Sequence, residues 1–193
     1  IKIVQSATEG IRTNRVEFVR ESPSQLIRFD KHEECNNYQS HAIIGGGCCS
    51  LFDTNRFPLF LLNNIVGGPG MNSLLNVALR EKRGYVYNVE ANVTNYTDTG
   101  LFTIYFGTDR KNVNRCFTII RKELNKLKQR EHSSLRLNDA KRQYIGQLTI
   151  GREIREKLAV ASGKSLLRYN RCSTLAETIQ KIESVTAKQI IEQ

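Results

Sequence analysis

Arg80 and Tyr87 are the residues whose types and spacing point most directly to chemistry. Arg80 falls in the last turn of an expected helix, Tyr87 lies on the strand that follows, and Gly84 turns the chain sharply between them. A strand running back past the helix end lets guanidinium and phenol converge on one point. Such a pair binds a peptide carbonyl or a carboxylate and can stabilise an oxyanion. A plainer account also fits these residues, because a cation suits the negative end of a helix dipole and tyrosine favours strands.

Other chemistries find less support. Lys31-His32-Glu33-Glu34-Cys35 groups several metal-ligand types. A zinc motif of the HExxH or HxxEH kind needs two histidines on one helical face beside a glutamate. None of His32, His41 and His132 has such a partner, so a polar turn is expected around His32 and Cys35, and no metal site in this chain. No G-x-S-x-G elbow is present to expose a nucleophilic serine. Gly67-Gly68-Pro69-Gly70 precedes a helix start, which can bind an anion. The lysine and hydroxyl of a phosphate loop are missing and no strand leads in, so a helix–helix turn with close backbone packing is expected. The five cysteines are odd in number, include the adjacent Cys48 and Cys49, and form no CxxC pair. That is a reduced, intracellular pattern and points to a cytoplasmic protein. Cys116 sits on an apolar helical stripe and reads as a core residue. The N-x-T sequons at Asn92 and Asn95 carry no weight without a secretory context.

The elements that must position Arg80 and Tyr87 come from a chain of 193 residues, 39% hydrophobic and 25% charged. This is ordinary globular composition and excludes collagen-like, mucin-like or wholly disordered chains. The apolar runs are only a few residues long, too short for a transmembrane helix. The start, IKIVQSATEG, has neither an apolar signal core nor an initiator methionine and reads as a cut end. The net charge of +10 is uneven, because residues 110–171 hold 17 basic and 5 acidic side chains. Such a segment can hold nucleic acid, an anionic partner or an acidic substrate. Its charges sit at helical spacing without interleaved aromatic side chains, so a partner- or solvent-facing surface is expected rather than a nucleic-acid site.

Residues 1–24 read as the tail of a preceding element plus a linker with a break at Ser22-Pro23-Ser24, and residues 25–193 as one domain. Two extended segments, Gln25–Lys31 and Tyr38–Ile44, open it. In the second, Gln39, His41 and Ile43 face one way and Ser40, Ala42 and Ile44 the other, before Gly45-Gly46-Gly47 loosens the backbone. Asp53 or Thr54 caps a buried helix over Phe57–Val66 that tolerates Pro58 in its first turn. A second helix covers Asn72–Lys82, with Leu74, Leu75, Ala78 and Leu79 inward and Gly84 as its stop. The period then changes to two. Tyr85, Tyr87, Val89, Ala91 and Val93 alternate with Val86, Asn88, Glu90, Asn92 and Thr94. A Thr97–Gly100 turn and a strand over Leu101–Gly107 complete an antiparallel hairpin. Val113, Cys116, Phe117, Ile120, Leu124 and Leu127 trace one helical face. Another helix starts at Ser133 or Ser134, with Leu137, Ala140, Tyr144 and Leu148 inward, and can run to Arg168 with a break near Gly151 or Gly163. Thr174 with Glu177 has capping-box spacing, and Thr186 starts a last helix. Strands early and helices late give an α+β fold with an antiparallel-rich sheet.

Several of these stretches together resemble a known family. Gly67–Leu75, reading GGPGMNSLL, and Leu79–Tyr87, reading LREKRGYVY, look like the second domain of the pitrilysin/insulinase-type zinc metallopeptidases, nearest to the bacterial relatives of mitochondrial processing peptidase. Tyr96–Phe102, Ile104–Asp109, Gln39–Gly45 and Ile182–Thr186 continue the likeness, which covers nearly everything from Phe29 onward. The resemblance implies a two-layer α+β unit, a mostly antiparallel sheet with helices packed against it. It implies that the HxxEH zinc motif and a distant glutamate ligand belong to a first domain, absent here. This chain is then the zinc-free half, inactive alone, with zinc expected in the missing N-terminal domain. In that family the arginine and tyrosine matching Arg80 and Tyr87 reach into the active chamber and hold the peptide substrate near the zinc, in dimeric members near that of the opposite subunit. The implied partners are a peptide substrate, the N-terminal zinc domain and a second subunit, with neither nucleic acid nor membrane. The alternative is a non-catalytic companion or scaffold subunit of the same fold.

Overall fold

A computed structural model describes residues 2–11, 21, 23, 27–129 and 134–193. Three strands form an antiparallel sheet in the order β1-β3-β2, with β1 at Ser40–Cys48, β2 at Val86–Asn95 and β3 at Gly100–Thr108. The expected hairpin is β2–β3, and its turn falls at Tyr96–Thr99. Helix α1 (Lys2–Thr8) precedes the sheet, α2 (Arg56–Gly67) joins β1 to a π-helix at Asn76–Glu81, and the π-helix leads into β2. After β3 come α3 (Val113–Gln129), α4 (Ser134–Glu153), α5 (Arg155–Tyr169), α6 (Leu175–Glu183) and α7 (Ala187–Ile191). The architecture is the expected α+β arrangement. Among the described residues no helix is long and apolar enough to cross a membrane.

The core lies on one face of the sheet. Ile104 and Phe106 of β3, with Val86, Val89 and Ala91 of β2, pack against Val66 of α2, Leu75 and Leu79 around the π-helix, and Cys116 and Ile120 of α3. Alternation along β1 is as expected, with Ala42 and Ile44 against the core and His41 and Ile43 exposed. A second cluster, with Leu61, Leu137, Val185 and Ile190 buried, ties α2 to α4 and α7. The caps at Thr174 and Thr186 are both complete capping boxes.

Several expectations need correction. Residues 27–31 are not in a strand, residues 25 and 26 lie outside the described residues, and β1 is the strand that opens the sheet. Ser22, Ser24, His132 and Ser133 also lie outside them. The Gly45-Gly46-Gly47 run does not end β1, because Leu101–Thr103 of β3 pair with it and carry the ladder through. The helix over Phe57–Val66 starts at Arg56 with Asn55 as its N-cap. Asp53 acts one turn earlier, accepting the Asn55 N–H at 2.8 Å. The break after α4 falls at Ile154, which is extended, while Gly151 and Gly163 stay helical. Glycine weakens a helix by about 1 kcal/mol but does not by itself end one.

The Gly67-Gly68-Pro69-Gly70 turn packs closely, as expected. A Cβ on Gly67 would lie 2.6 Å from the Ala91 nitrogen, and one on Gly68 would lie 2.4 Å from Asn64 Oδ1. Gly67 lets the end of α2 touch the backbone of β2, and Gly68 lets the chain fold back on Asn64 of the same helix.

Candidate functional site

Arg80 occupies the last turn of a π-helix rather than of an α-helix. The Lys82 N–H reaches back five residues to the Val77 carbonyl at 3.1 Å, the widened bonding that defines this geometry and often marks functional sites. The helix end is closed by two further bonds, Gly84 N–H to Arg80 O at 2.8 Å and Tyr85 N–H to Leu79 O at 2.9 Å. Together they make a Schellman-like cap with an extra residue. Gly84 takes the left-handed conformation at φ +61°, which a residue with a Cβ adopts only at a cost. The turn therefore delivers β2 directly beside the helix end. Arg83, not Arg80, bonds a late carbonyl, its Nη1 donating to Ala78 O at 2.5 Å. Arg80 is exposed, and its guanidinium has no hydrogen-bond or ion-pair partner among the described residues.

Tyr87 owes its position to a bulge. Val86 pairs with Thr108 and Asn88 with Gly107, so Tyr87 is an extra residue on β2. The bulge puts Val86 and Val89 on the core face and leaves Tyr87 and Asn88 exposed. This corrects the simple alternation that placed Tyr87 on one face with Val89 and Ala91. Bulges near active sites commonly re-aim a side chain in this way. Tyr87 is 55% exposed, and its hydroxyl donates to Asp109 Oδ1 at 2.8 Å. That hydrogen bond and the negative charge of Asp109 raise its pKa above the ordinary value, so it stays a neutral phenol through physiological pH.

No hydrogen bond joins Arg80 to Tyr87; the partner that Tyr87 takes is Asp109, which the sequence reading did not single out. A signal for it was present. The first residues of β2 must face the last of β3 in a hairpin, and Asp109 directly follows β3. The arrangement provides an unpaired cation, an oriented phenol and a carboxylate around one end of the hairpin.

The Lys31–Cys35 stretch is not a turn but an exposed irregular segment that carries charge pairs. Lys31 Nζ lies 2.5 Å from Glu33 Oε1, His32 Nε2 lies 3.9 Å from Glu34 Oε1, and Arg110 bonds Glu34. Among the described residues no group of three or more His, Cys, Asp or Glu could hold a metal ion.

The thiols divide by environment. Burial, then the neighbouring Cys49, pushes Cys48 up to about 11. Burial and the Asp53 charge raise Cys49, and burial raises Cys116 in the core. Cys35 and Cys172 are exposed. Because the thiolate is the reactive form, brief iodoacetamide treatment at pH 8 is expected to label Cys35 and Cys172 first. Cys48 should lag, and Cys116 should react only on unfolding. Peptide mapping by mass spectrometry checks the order, and early labelling of Cys48 or Cys116 would contradict it.

Comparison with known proteins gives the family. Residues 6–144 match the family described as the peptidase M16 inactive domain. The uncharacterized zinc protease YmxG of Bacillus subtilis is 29% identical over 79% of this chain and 37% of its own length. The uncharacterized zinc protease SCO5738 of Streptomyces coelicolor is 30% identical over 79% of this chain and 33% of its own. The mitochondrial-processing peptidase subunit alpha of Caenorhabditis elegans is 24% identical over 79% and 31%. The chain thus spans about a third of the length of these relatives. Among solved structures, a peptidase M16 inactive domain from Pseudomonas fluorescens superposes with a TM-score of 0.68 at 22% identity, covering 80% of this chain and 37% of that one, and supports the fold. The family match, reinforced by the fold, places the chain in the peptidase M16 inactive-domain family.

Proposed function

We propose that this chain is the substrate-binding half of a zinc-dependent metalloendopeptidase that cleaves peptides. What supports the reading is an Arg80 guanidinium without a partner among the described residues, at the end of a π-helix that leads into the strand carrying the exposed Tyr87 of the bulge. In this reading the metal and its activation of water belong to a first half, as the zinc proteases among the relatives suggest; among the described residues no group of three or more His, Cys, Asp or Glu could hold a metal ion. What this chain supplies is binding. Arg80 offers a planar fork of donors to a peptide carbonyl or carboxylate. Tyr87 holds its proton between Asp109 and the substrate. The Tyr87 hydroxyl and Asp109 meet at the exposed surface, where water competes for the bond, so the phenol can exchange the Asp109 carboxylate for a developing oxyanion. In this reading the protein is cytoplasmic, a second subunit completes the assembly, and the basic faces of the helices after β3 meet partner or solvent.

The companion-subunit reading is favoured by one observation, the description of the matched family as an inactive domain. Peptidase assays separate the two. The isolated chain should cleave no fluorogenic peptide, while the full-length protein with its first half should, with activity lost on chelation and restored by zinc. Hydrolysis by the isolated chain, or none by the zinc-loaded full-length protein, would overturn the substrate-binding reading.

A further inference from the structure

The face of the sheet turned away from the core carries a second polar pair, His41 on β1 and Tyr105 on β3. His41 Nδ1 lies 2.7 Å from the Tyr105 hydroxyl, and the rings are near parallel at 17°. Gly107 lies directly opposite His41 in the ladder, and the two side chains meet over it on the middle strand. A Cβ there would lie 3.7 Å from the Tyr105 hydroxyl, 3.9 Å from His41 Nδ1 and 4.0 Å from Gln39 Oε1. Resting on the reading of this chain as a peptide-binding half, we propose that His41 and Tyr105 form a second substrate contact, which takes backbone carbonyls of an extended peptide.

The chemistry follows from proton count. A neutral imidazole has one N–H. If the Tyr105 hydroxyl donates to Nδ1, the His41 proton sits on Nε2 and that N–H is left to donate. If Nδ1–H donates to the phenol oxygen, the Tyr105 O–H is left instead. In either tautomer the pair keeps one donor for an incoming acceptor, and neither side chain has another partner among the described residues. Glu90 stands opposite Tyr105 on β2, which disfavours a carboxylate and leaves a neutral carbonyl as the fitting acceptor. Location joins the pair to the first contact. The row His41–Gly107–Asn88 crosses the three strands and ends beside Tyr87. Two strand spacings separate its ends, about 10 Å, a span that about three residues of an extended peptide cover.

The test uses the full-length protein stripped of zinc, so that a fluorescein-labelled casein peptide binds without being cut, with affinity read by fluorescence anisotropy. Tyr105→Phe and His41→Ala should each weaken binding by about 2–10-fold, the worth of one net hydrogen bond. His41→Asn, which keeps an amide donor and acceptor at the same place, should recover part of the loss. Melting temperature should stay unchanged in all three, which a purely structural pair would not allow. Unchanged affinity in these variants, with Tyr87→Phe still weakened, would overturn the second contact and leave the Arg80 and Tyr87 reading standing. No peptide binding by the parent protein would remove both.

Discussion

Tyr87→Phe in the full-length, zinc-loaded protein is expected to lower peptide turnover by about 10²–10³, the usual loss when one oxyanion donor is removed. The substitution keeps the ring and deletes one hydroxyl, bonded only to Asp109, from a residue that is 55% exposed. No core contact is lost, so the melting temperature should stay within about a degree or two of the parent's. Arg80→Lys keeps the charge but loses the planar fork, and should also impair turnover. Its guanidinium bonds nothing in the described structure, so its loss carries no folding cost. Steady-state kinetics and thermal melts on the same preparations decide the matter. Full activity in both variants, with zinc in place, would sink the assignment. A large fall in melting temperature that matches the loss of activity would instead make the two residues structural.

Asp109 refines that expectation. In the free protein it already holds the Tyr87 proton, so the phenol must change acceptor to serve a substrate oxyanion. The raised pKa of Tyr87 keeps the hydroxyl protonated, which favours its role as a donor and makes an ionised phenolate irrelevant near neutral pH.

Much of this organisation was legible in the residues. Helical stripes such as Val113 to Leu127, the capping pair Thr174/Glu177 and the helix start at Thr186 rest on local spacing, which the chain carries in itself. The turn at Gly84 was legible for the same reason, since only glycine takes a left-handed conformation freely. The bulge at Tyr87 was not, because it is a mismatch between β2 and its neighbour, and strict alternation in one strand cannot show that its partner is one residue short. The π-widening at Asn76–Glu81 was hidden likewise. Its residues have ordinary helical spacing, and the extra residue per turn shows only in the bonds that Lys82 and Tyr85 make. Both departures fall on the elements that hold Arg80 and Tyr87. The side chains were thus readable by type and spacing, but their exposure depends on irregularities that tertiary pairing imposes.

Leu79→Ala is the expected structural counterpart. Leu79 precedes Arg80 in the π-helix, is fully buried, and packs in the cluster that includes Val86, Val89 and Phe106. Its carbonyl accepts the Tyr85 N–H that closes the helix end, and alanine keeps that bond while emptying the space of the side chain. Truncating a buried leucine costs about 2–5 kcal/mol, or about 5–20 °C in melting temperature for a chain of this size. Turnover measured well below the new melting point should stay within a few-fold of the parent's, because the backbone cap and the exposed guanidinium survive. That pattern is the reverse of Tyr87→Phe, with stability lost and chemistry kept. Should Leu79→Ala leave the melting temperature unchanged, the buried packing that fixes the π-helix against the hairpin would be wrong. Should it abolish turnover while still fully folded, the placement of Arg80 would depend on that packing far more than its cap bonds indicate.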